Sequence, residues 1–468
     1  MVETEKLLID ENGAPLDRIV GIETEYGLGA TIRDREKVKS FEMTLRLLAI
    51  TAMNGGRSND QYREDGDRVY LDGTHPERSI AEETSFIGAA YRVLYGHVKT
   101  ASEFQKTAEK TAEQLGLGKI FLGANTADHI GNSWASHENF LARRALTPED
   151  YIDALAAHHV SRIVWSGSGD VQSIGDDEFQ FCLSEKAEQI WDLANFRTTR
   201  MRPLVNLRDV PYADSKQFRR IHLVTGESVF SAHVIALRLA SGSIILRACE
   251  VGEDFSDLMP VNPIDAIRSI SRDPTLKTTV RLKNEHSYTG IDHQMAIAER
   301  ALSAAGAHGY LTEQEESWGE QWLKDLDDLK TDPSKCTDRF DWLTKQQVIT
   351  RALDKATGTD KELLAVAKEA AIFYHSLLPE EGRGMQLLRR GYFEDSPSAE
   401  VLSKGLSLPE TRAKFRASFI CWLKKNNIRF NGDWEKMRGG EEYPQAKISS
   451  PYTTDAPELE TLMAIIGG

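Results

Sequence analysis

Ile19-Val-Gly-Ile-Glu-Thr-Glu-Tyr-Gly27 decides how this chain is read, together with Asp67-Arg-Val-Tyr-Leu-Asp-Gly-Thr-His-Pro-Glu77. The first is an apolar run broken by two carboxylates and closed by glycine, the pattern of a strand running into a turn. Side chains alternate along a strand, so Glu23 and Glu25 share one face roughly 7 Å apart. By the same count Arg68, Tyr70 and Asp72 share a face, and His75-Pro-Glu77 follows a tight turn at Gly73. Two such strands side by side would gather Glu23, Glu25, Asp72 and Glu77 on one surface with an arginine and a phenol. Carboxylate oxygens are what Mg²⁺ accepts, and Mg²⁺ commonly reaches a protein with nucleotide phosphates. Either segment alone reads equally well as an edge strand with an acidic solvent face. The pair favours a cation site.

The rest of the composition narrows the class. With 468 residues, 40% hydrophobic and 28% charged, the chain can bury a sizeable core and is expected to form more than one domain. A formal net charge of -15 argues against nucleic acid or an anionic membrane as partner, since both call for a basic surface. Cys182, Cys249, Cys336 and Cys421 stand far apart with no Cys-x-x-Cys pair, which speaks against a zinc module and fits a reducing compartment. The opening residues are acidic and polar rather than signal-like, and no run approaches the roughly 20 apolar residues of a membrane span. A cytoplasmic protein is expected.

Residues 1–17 read as a flexible leader. Strands are predicted at Ile19–Tyr26, Arg68–Leu71, Ile120–Leu122, Ile163–Trp165, Glu178–Leu183, Leu204–Leu207, Arg219–Val224 and Ser243–Glu250. Helical periodicity lies between them at Phe41–Ala52, Phe86–Tyr95, Ala101–Leu115, Pro148–Val160 and Ile264–Ser271, and dominates after residue 290. Strands first and helices later predict an α+β catalytic domain over residues 18–395 on an antiparallel or mixed sheet. Ser396-Pro-Ser398 marks a boundary to a small unit, 396–468. Its helix Glu410–Lys425 carries an apolar stripe of Phe415, Phe419, Ile420 and Trp422.

No phosphate loop of the Gly-x-x-x-x-Gly-Lys-Ser/Thr type and no Gly-x-Gly-x-x-Gly motif is present. Gly167-Ser-Gly169 reads as a turn. If ATP is used, metal ions and arginines must hold its phosphates. Asn125-Thr-Ala-Asp128, Gly131-Asn-Ser133 and Ser136-His-Glu-Asn139 pack many polar groups into 15 residues, readable as a hydrogen-bonded scaffold or as a site containing His137. Six arginines fall between Arg197 and Arg220, and the guanidinium fork suits carboxylate or phosphate. Some must pair with Asp209 and Asp214; two or three of the cluster, with Arg200, Arg208, Arg220 and the adjoining His222 as candidates, are expected to face an anionic substrate. Arg383, between two glycines, reads as a loop residue or as part of a helix terminus. Gly467-Gly468 reads as a frayed end.

Taken in order, these segments resemble one family over nearly the whole chain: the Pup ligase and Pup deamidase (depupylase) group, related to glutamine synthetase and other carboxylate–amine ligases. The resemblance runs through Gly21–Gly27, Arg68–Glu77, Gly131-Asn-Ser133, His137-Glu-Asn139, Cys182–Trp191 and Thr198–Pro203. It continues in Asn206-Leu-Arg-Asp209, Arg219–His222, Asn262–Arg268, Asp341-Trp342, Tyr374-His375, Gly382-Arg-Gly384, Thr411-Arg412 and Asp433-Trp434. The resemblance implies a curved antiparallel sheet packed with helices, plus a small carboxyl-terminal domain. It implies Glu23, Tyr70 and Glu77 as Mg²⁺ ligands, Arg68 and Trp434 as ATP contacts and Asp72 as catalytic base. Departures are visible too. The family's Lys-Asn-Asn is here Gly123-Ala-Asn125 with one residue added after it, a threonine near ATP is Ile80, and an acidic residue after Tyr-His is Ser376.

The implied reaction is ATP-dependent joining of the terminal glutamate side chain of a Pup-like modifier to a target-protein lysine, through an acyl phosphate. A carboxylate does not condense with an amine until its oxygen becomes a good leaving group, and the amine must lose a proton to a nearby base. Three alternatives stay open at this point: a deamidase or depupylase, a binding module without catalysis, and a small-molecule carboxylate–amine ligase. The span of about 40 residues from Gly27 to Arg68 and the wording Gly21-Ile-Glu-Thr-Glu-Tyr match the ligase branch. The two-residue gap between Asp72 and His75 matches the deamidase branch.

Overall fold

The computed structural model describes residues 3–54, 60–128, 132–175, 178–197, 201–378, 380–453 and 455–467. Its strands as far as residue 223 are β1 Val20–Glu25, β2 Gly27–Ile32, β3 Asp60–Tyr62, β4 Arg68–Asp72, β5 His75–Ser79, β6 Leu117–Gly123, β7 Ser136–Arg143, β8 Asp170–Ser173, β9 Phe179–Cys182, β10 Ile190–Asn195, β11 Arg202–Asn206 and β12 Phe218–Leu223. Eight of them form one sheet in the order β10-β11-β12-β7-β1-β5-β4-β3. Every pairing in it is antiparallel except β10 beside β11, so the sheet is mixed at one edge.

Alternation along β1 sends Val20 and Ile22 into the main hydrophobic core and leaves Glu23 and Glu25 on the opposite face. Helices fill the core side: α1 Phe41–Asn54, α2 Phe86–Gln114, α3 Pro148–Ser161, α4 Ile163–Ser166 and α5 Ala232–Glu250. α2 packs on both β1 and α5, and α3 on β11 and α5.

Three sequence expectations need correction. Ile163–Trp165 is the helical turn α4, not a strand; it continues from α3, and Ser166 N–H donates to the Arg162 carbonyl. Ser243–Glu250 is the second half of α5, also not a strand. Every residue of α5 is buried, so no polar face reveals its period, and short apolar runs of the two kinds look alike. Its 19 residues are long and apolar enough to cross a membrane by composition alone, and all lie inside the protein. Phe86–Tyr95 and Ala101–Leu115 are one continuous helix, α2. Gly96, which looks like a break between them, instead lets Arg78 approach: a Cβ there would meet Arg78 Cδ at 3.0 Å.

Within the segment expected as a flexible leader, residues 3–17 are docked. Leu8 is fully buried, its N–H donates to the Tyr310 hydroxyl, and Arg247 donates to the Leu8 and Leu16 carbonyls. At the other end of the chain, helix Arg412–Lys425, a three-stranded sheet and helix Pro457–Gly467 enclose a separate small core of Phe419, Leu423, Met437, Ile448 and Leu462. Phe415 and Trp422 pack on that core, whereas Ile420 turns toward Tyr62 and Trp434. Glu82 anchors this unit: it accepts from Arg412 Nε at 2.8 Å and from Arg416 Nη1 at 3.1 Å. Burial would raise the Glu82 carboxyl, but the two guanidinium groups outweigh it and hold it at about 2.

Candidate active site

The carboxylates meet because β5 lies between β1 and β4. The sequence reading pairs β1 with β4 directly; the register instead sets Glu25 opposite Glu77 on one side and Tyr70 opposite Glu77 on the other. The turn at Gly73, with φ +56°, folds Asp72 back against His75. Carboxylate oxygens of Glu25, Asp72 and Glu77 thus lie within 4.8 Å of one another. The Tyr70 hydroxyl donates to Glu77. Burial, then the charges of Glu23 and Glu25, push the Glu77 carboxyl well above its usual range. Burial and the same negative surroundings raise the Tyr70 phenol. A crowded acidic set of this kind, with Glu25 and Glu77 buried and Asp72 exposed at its rim, is what a hard divalent cation stabilises, so these residues fit Mg²⁺.

Glu23 keeps different company. Arg220 Nη2 donates to it at 3.0 Å, His137 Nδ1 lies 3.4 Å away, and His222 Nε2 also lies 3.4 Å away. Burial would raise the Glu23 carboxyl, yet Arg220 and the two histidines drive it well below normal. Burial and the nearby Arg220 push His222 down to about 3, leaving it neutral. His222 Nε2 is turned to Glu23 at 3.4 Å, and its Nδ1 has no hydrogen-bond partner among the described residues. Glu23, His137 and His222 form a second group whose ligand atoms lie within 4.8 Å.

Alternation also sorts the crowded polar segments. On β7, His137 and Asn139 face the site, where Asn139 Oδ1 accepts from Arg220 Nε at 2.6 Å. Glu138 faces the core and is held by Arg162 and Arg238, each at 2.8 Å. Burial alone would raise Glu138; the two arginines bring it to about 2. Alternation therefore divides this segment, with Glu138 in the buried scaffold and His137 and Asn139 on the face that carries Glu23. On β12, Arg220 and His222 face the site while Arg219 pairs with Asp209 at 3.1 Å. Arg208 is exposed on the loop after β11, and Arg200 lies outside the described residues.

Arg68 is not free in this arrangement. It makes a bidentate pair with Asp60, at 2.9 and 2.6 Å, and its guanidinium stands 4.3 Å from the Tyr70 ring centre. Trp434 reaches the site from the carboxyl-terminal unit, lining a cleft with Ile22, Glu23, Ile80, Tyr212 and Arg220. Its ring meets Tyr62 edge-on at 5.3 Å and Arg416 at 4.6 Å.

One group escaped the sequence reading. Burial, then the charge of Arg202, pushes the Lys186 ammonium down to about 7, with Glu25 among its opposing charges. In Ser-Glu-Lys-Ala-Glu it looks like a surface lysine. Two of the family departures prove to be neighbours: Gly123 and Ser376 pair as an isolated antiparallel bridge. A Cβ at Gly123 would meet the Phe121 ring at 2.4 Å, so the local packing leaves no room for the family's lysine.

Comparison with known proteins points to one family. The model of the Pup-ligase protein family matches residues 18–438. A Pup–protein ligase of Corynebacterium aurimucosum is 30% identical over 457 residues, covering 95% of each chain. The crystal structure of the complex between the prokaryotic ubiquitin-like protein Pup and its ligase PafA has a similar fold, with a TM-score of 0.84, 24% identity and coverage of 99% of this chain and 93% of that one. The structure of PafA in complex with ADP gives a TM-score of 0.76 at 25% identity, covering 94% and 96%. With the match spanning the sheet, the acidic cluster and Trp434, this chain belongs to the Pup-ligase family.

Proposed function

We propose that this protein is an ATP-dependent ligase that joins the terminal glutamate side chain of a Pup-like modifier to lysines of target proteins, in the cytoplasm. The observation that carries the reading is the convergence of Glu25, Asp72 and Glu77 beside the cleft that Trp434 and Arg220 line, in a chain of this family. The nucleotide base is placed at Trp434 and the phosphates toward Arg220. Residues 396–468 are read as the small domain that completes this cleft.

Of the expected Mg²⁺ ligands, Glu77 with Tyr70 behind it would hold the ion together with Glu25, and Glu23, engaged by Arg220 and two histidines, would offer a second position. When bound, it supplies neutralisation of the phosphate charge. Arg220 neutralises further charge from the other side, and phosphoryl transfer is catalysed mainly by positioning and neutralisation of this kind. The γ-phosphoryl group passes to the modifier's glutamate carboxylate, giving an acyl phosphate and ADP. Asp72, exposed at the rim while Glu77 is buried, takes the proton from the incoming lysine. The amine attacks the acyl carbon, the isopeptide bond forms and phosphate leaves.

One feature favours the deamidase as the second reading: the tight Asp72–His75 hairpin, which has the spacing of that branch. The test is incubation with Mg-ATP, a Glu-ended modifier and a lysine-bearing target. A higher-mass conjugate that forms only with ATP, with matching ADP release, supports the ligase. ATP-independent conjugation, or ADP release with no conjugate, overturns it.

A further inference from the structure

Tyr212 lines the same cleft as Trp434, on the loop Pro211–Asp214 that follows β11. It packs beside Trp434, with ring centres 6.4 Å apart and planes at 48°, so the two rings make one continuous aromatic lining. The Tyr212 ring also carries the Arg220 guanidinium, 5.4 Å from its centre. That same guanidinium bonds Glu23. One aromatic ring thus touches both Trp434 and the arginine that reaches the acidic group.

The placement is built, not incidental. Tyr212 holds a left-handed backbone, φ +48°, a conformation that a bulky residue adopts only when its surroundings enforce it. The surroundings are on both flanks. The Tyr212 carbonyl accepts from Arg412 Nη2, Asp209 is pinned by Arg144 and Arg219, Ala213 is buried, and Asp214 N–H donates to the Ser449 carbonyl. Every one of these ties fixes the loop against either the sheet or the carboxyl-terminal unit.

We propose that Tyr212 is a nucleotide-positioning residue, the second aromatic wall against which the purine base of the nucleotide packs, aligned with Arg220 at the phosphates. This rests on the nucleotide reading of the cleft given above. A base has a flat π face, and an aromatic wall strengthens its binding without contributing to the phosphate end.

The test titrates the full-length protein with Mg-ADP and, separately, with Mg-tripolyphosphate, which carries phosphates and no base. Parent, Tyr212→Ala and Tyr212→Phe are compared. The expected result is a loss of about tenfold in ADP affinity for Tyr212→Ala, affinity within about twofold of the parent for Tyr212→Phe, and unchanged tripolyphosphate affinity for both. Equal losses for ADP and tripolyphosphate would overturn the proposal, because Tyr212 would then act only by holding Arg220. Unchanged ADP affinity in Tyr212→Ala would overturn it with the nucleotide reading intact. A parent that does not bind ADP at all would overturn both.

Discussion

Glu25 and Glu77 stand directly opposite each other across the antiparallel pair β1–β5, with Glu77 buried. Like charges opposed in a sheet are destabilising, and here the second neighbour of Glu77 is Tyr70, which gives it a hydrogen bond but no charge. The strand register therefore creates an electrostatic debt that a cation can settle.

Glu77→Gln keeps the shape and the acceptor for Tyr70 while removing the charge. Without divalent ions the variant should melt at or above the parent's temperature. Mg²⁺ at millimolar concentration should raise the parent's melting temperature by several degrees and leave the variant's unchanged. Equal Mg²⁺ shifts in a thermal melt would remove Glu77 from the metal set.

His233 supplies a pH dependence away from the site. It lies between Asp325, at 2.6 Å, and Asp395, at 2.8 Å. Burial would lower its pKa, but the two carboxylates outweigh burial and raise it to about 9. A histidine raised above its unfolded value of roughly 6.5 stabilises fully below that pH and loses the contribution as pH rises through the folded value. His233→Gln should therefore lower the melting temperature most at about pH 6, progressively less as the pH rises toward about 9, and show no further pH-dependent deficit above that. A deficit that is constant with pH would mean His233 contributes by packing alone.

Trp434→Ala should weaken Mg-ADP binding by roughly 1–3 kcal/mol, the scale of a lost base–aromatic contact. Unchanged affinity with a lowered melting temperature would mark Trp434 as a packing residue of the carboxyl-terminal unit.

Much of this site was legible because period-two alternation is a strong signal on β1 and β4, where carboxylates interrupt apolar residues. β5 was not legible. His75-Pro-Glu-Arg-Ser79 holds a proline and three charged or titratable residues, yet it lies inside the sheet. Proline is tolerated because β1 pairs only with Glu77–Ser79, and Pro76 lies beyond that ladder. The docked leader was hidden for another reason: its anchors, Tyr310 and Arg247, are distant in sequence. α5 was hidden because complete burial erases periodicity. The partners of Arg68 and Glu82 were invisible too, since ion pairing depends on tertiary placement rather than spacing.

Asp72→Asn should separate binding from chemistry. The amide is isosteric but accepts no proton from an amine, so Mg-ADP affinity should hold within about threefold while conjugation falls by about 10² or more. Near-normal conjugate formation would discard Asp72 as the base.

The most direct measurement gives the enzyme both a Glu-ended and a Gln-ended Pup-like modifier with Mg-ATP and a lysine-bearing target, then reads all products by mass spectrometry. The account predicts a new isopeptide bond from the Glu-ended form, ADP and phosphate in step with it, and little change in the Gln-ended form. Deamidation of the Gln-ended form, or cleavage of preformed conjugates without new isopeptide bonds, would contradict it.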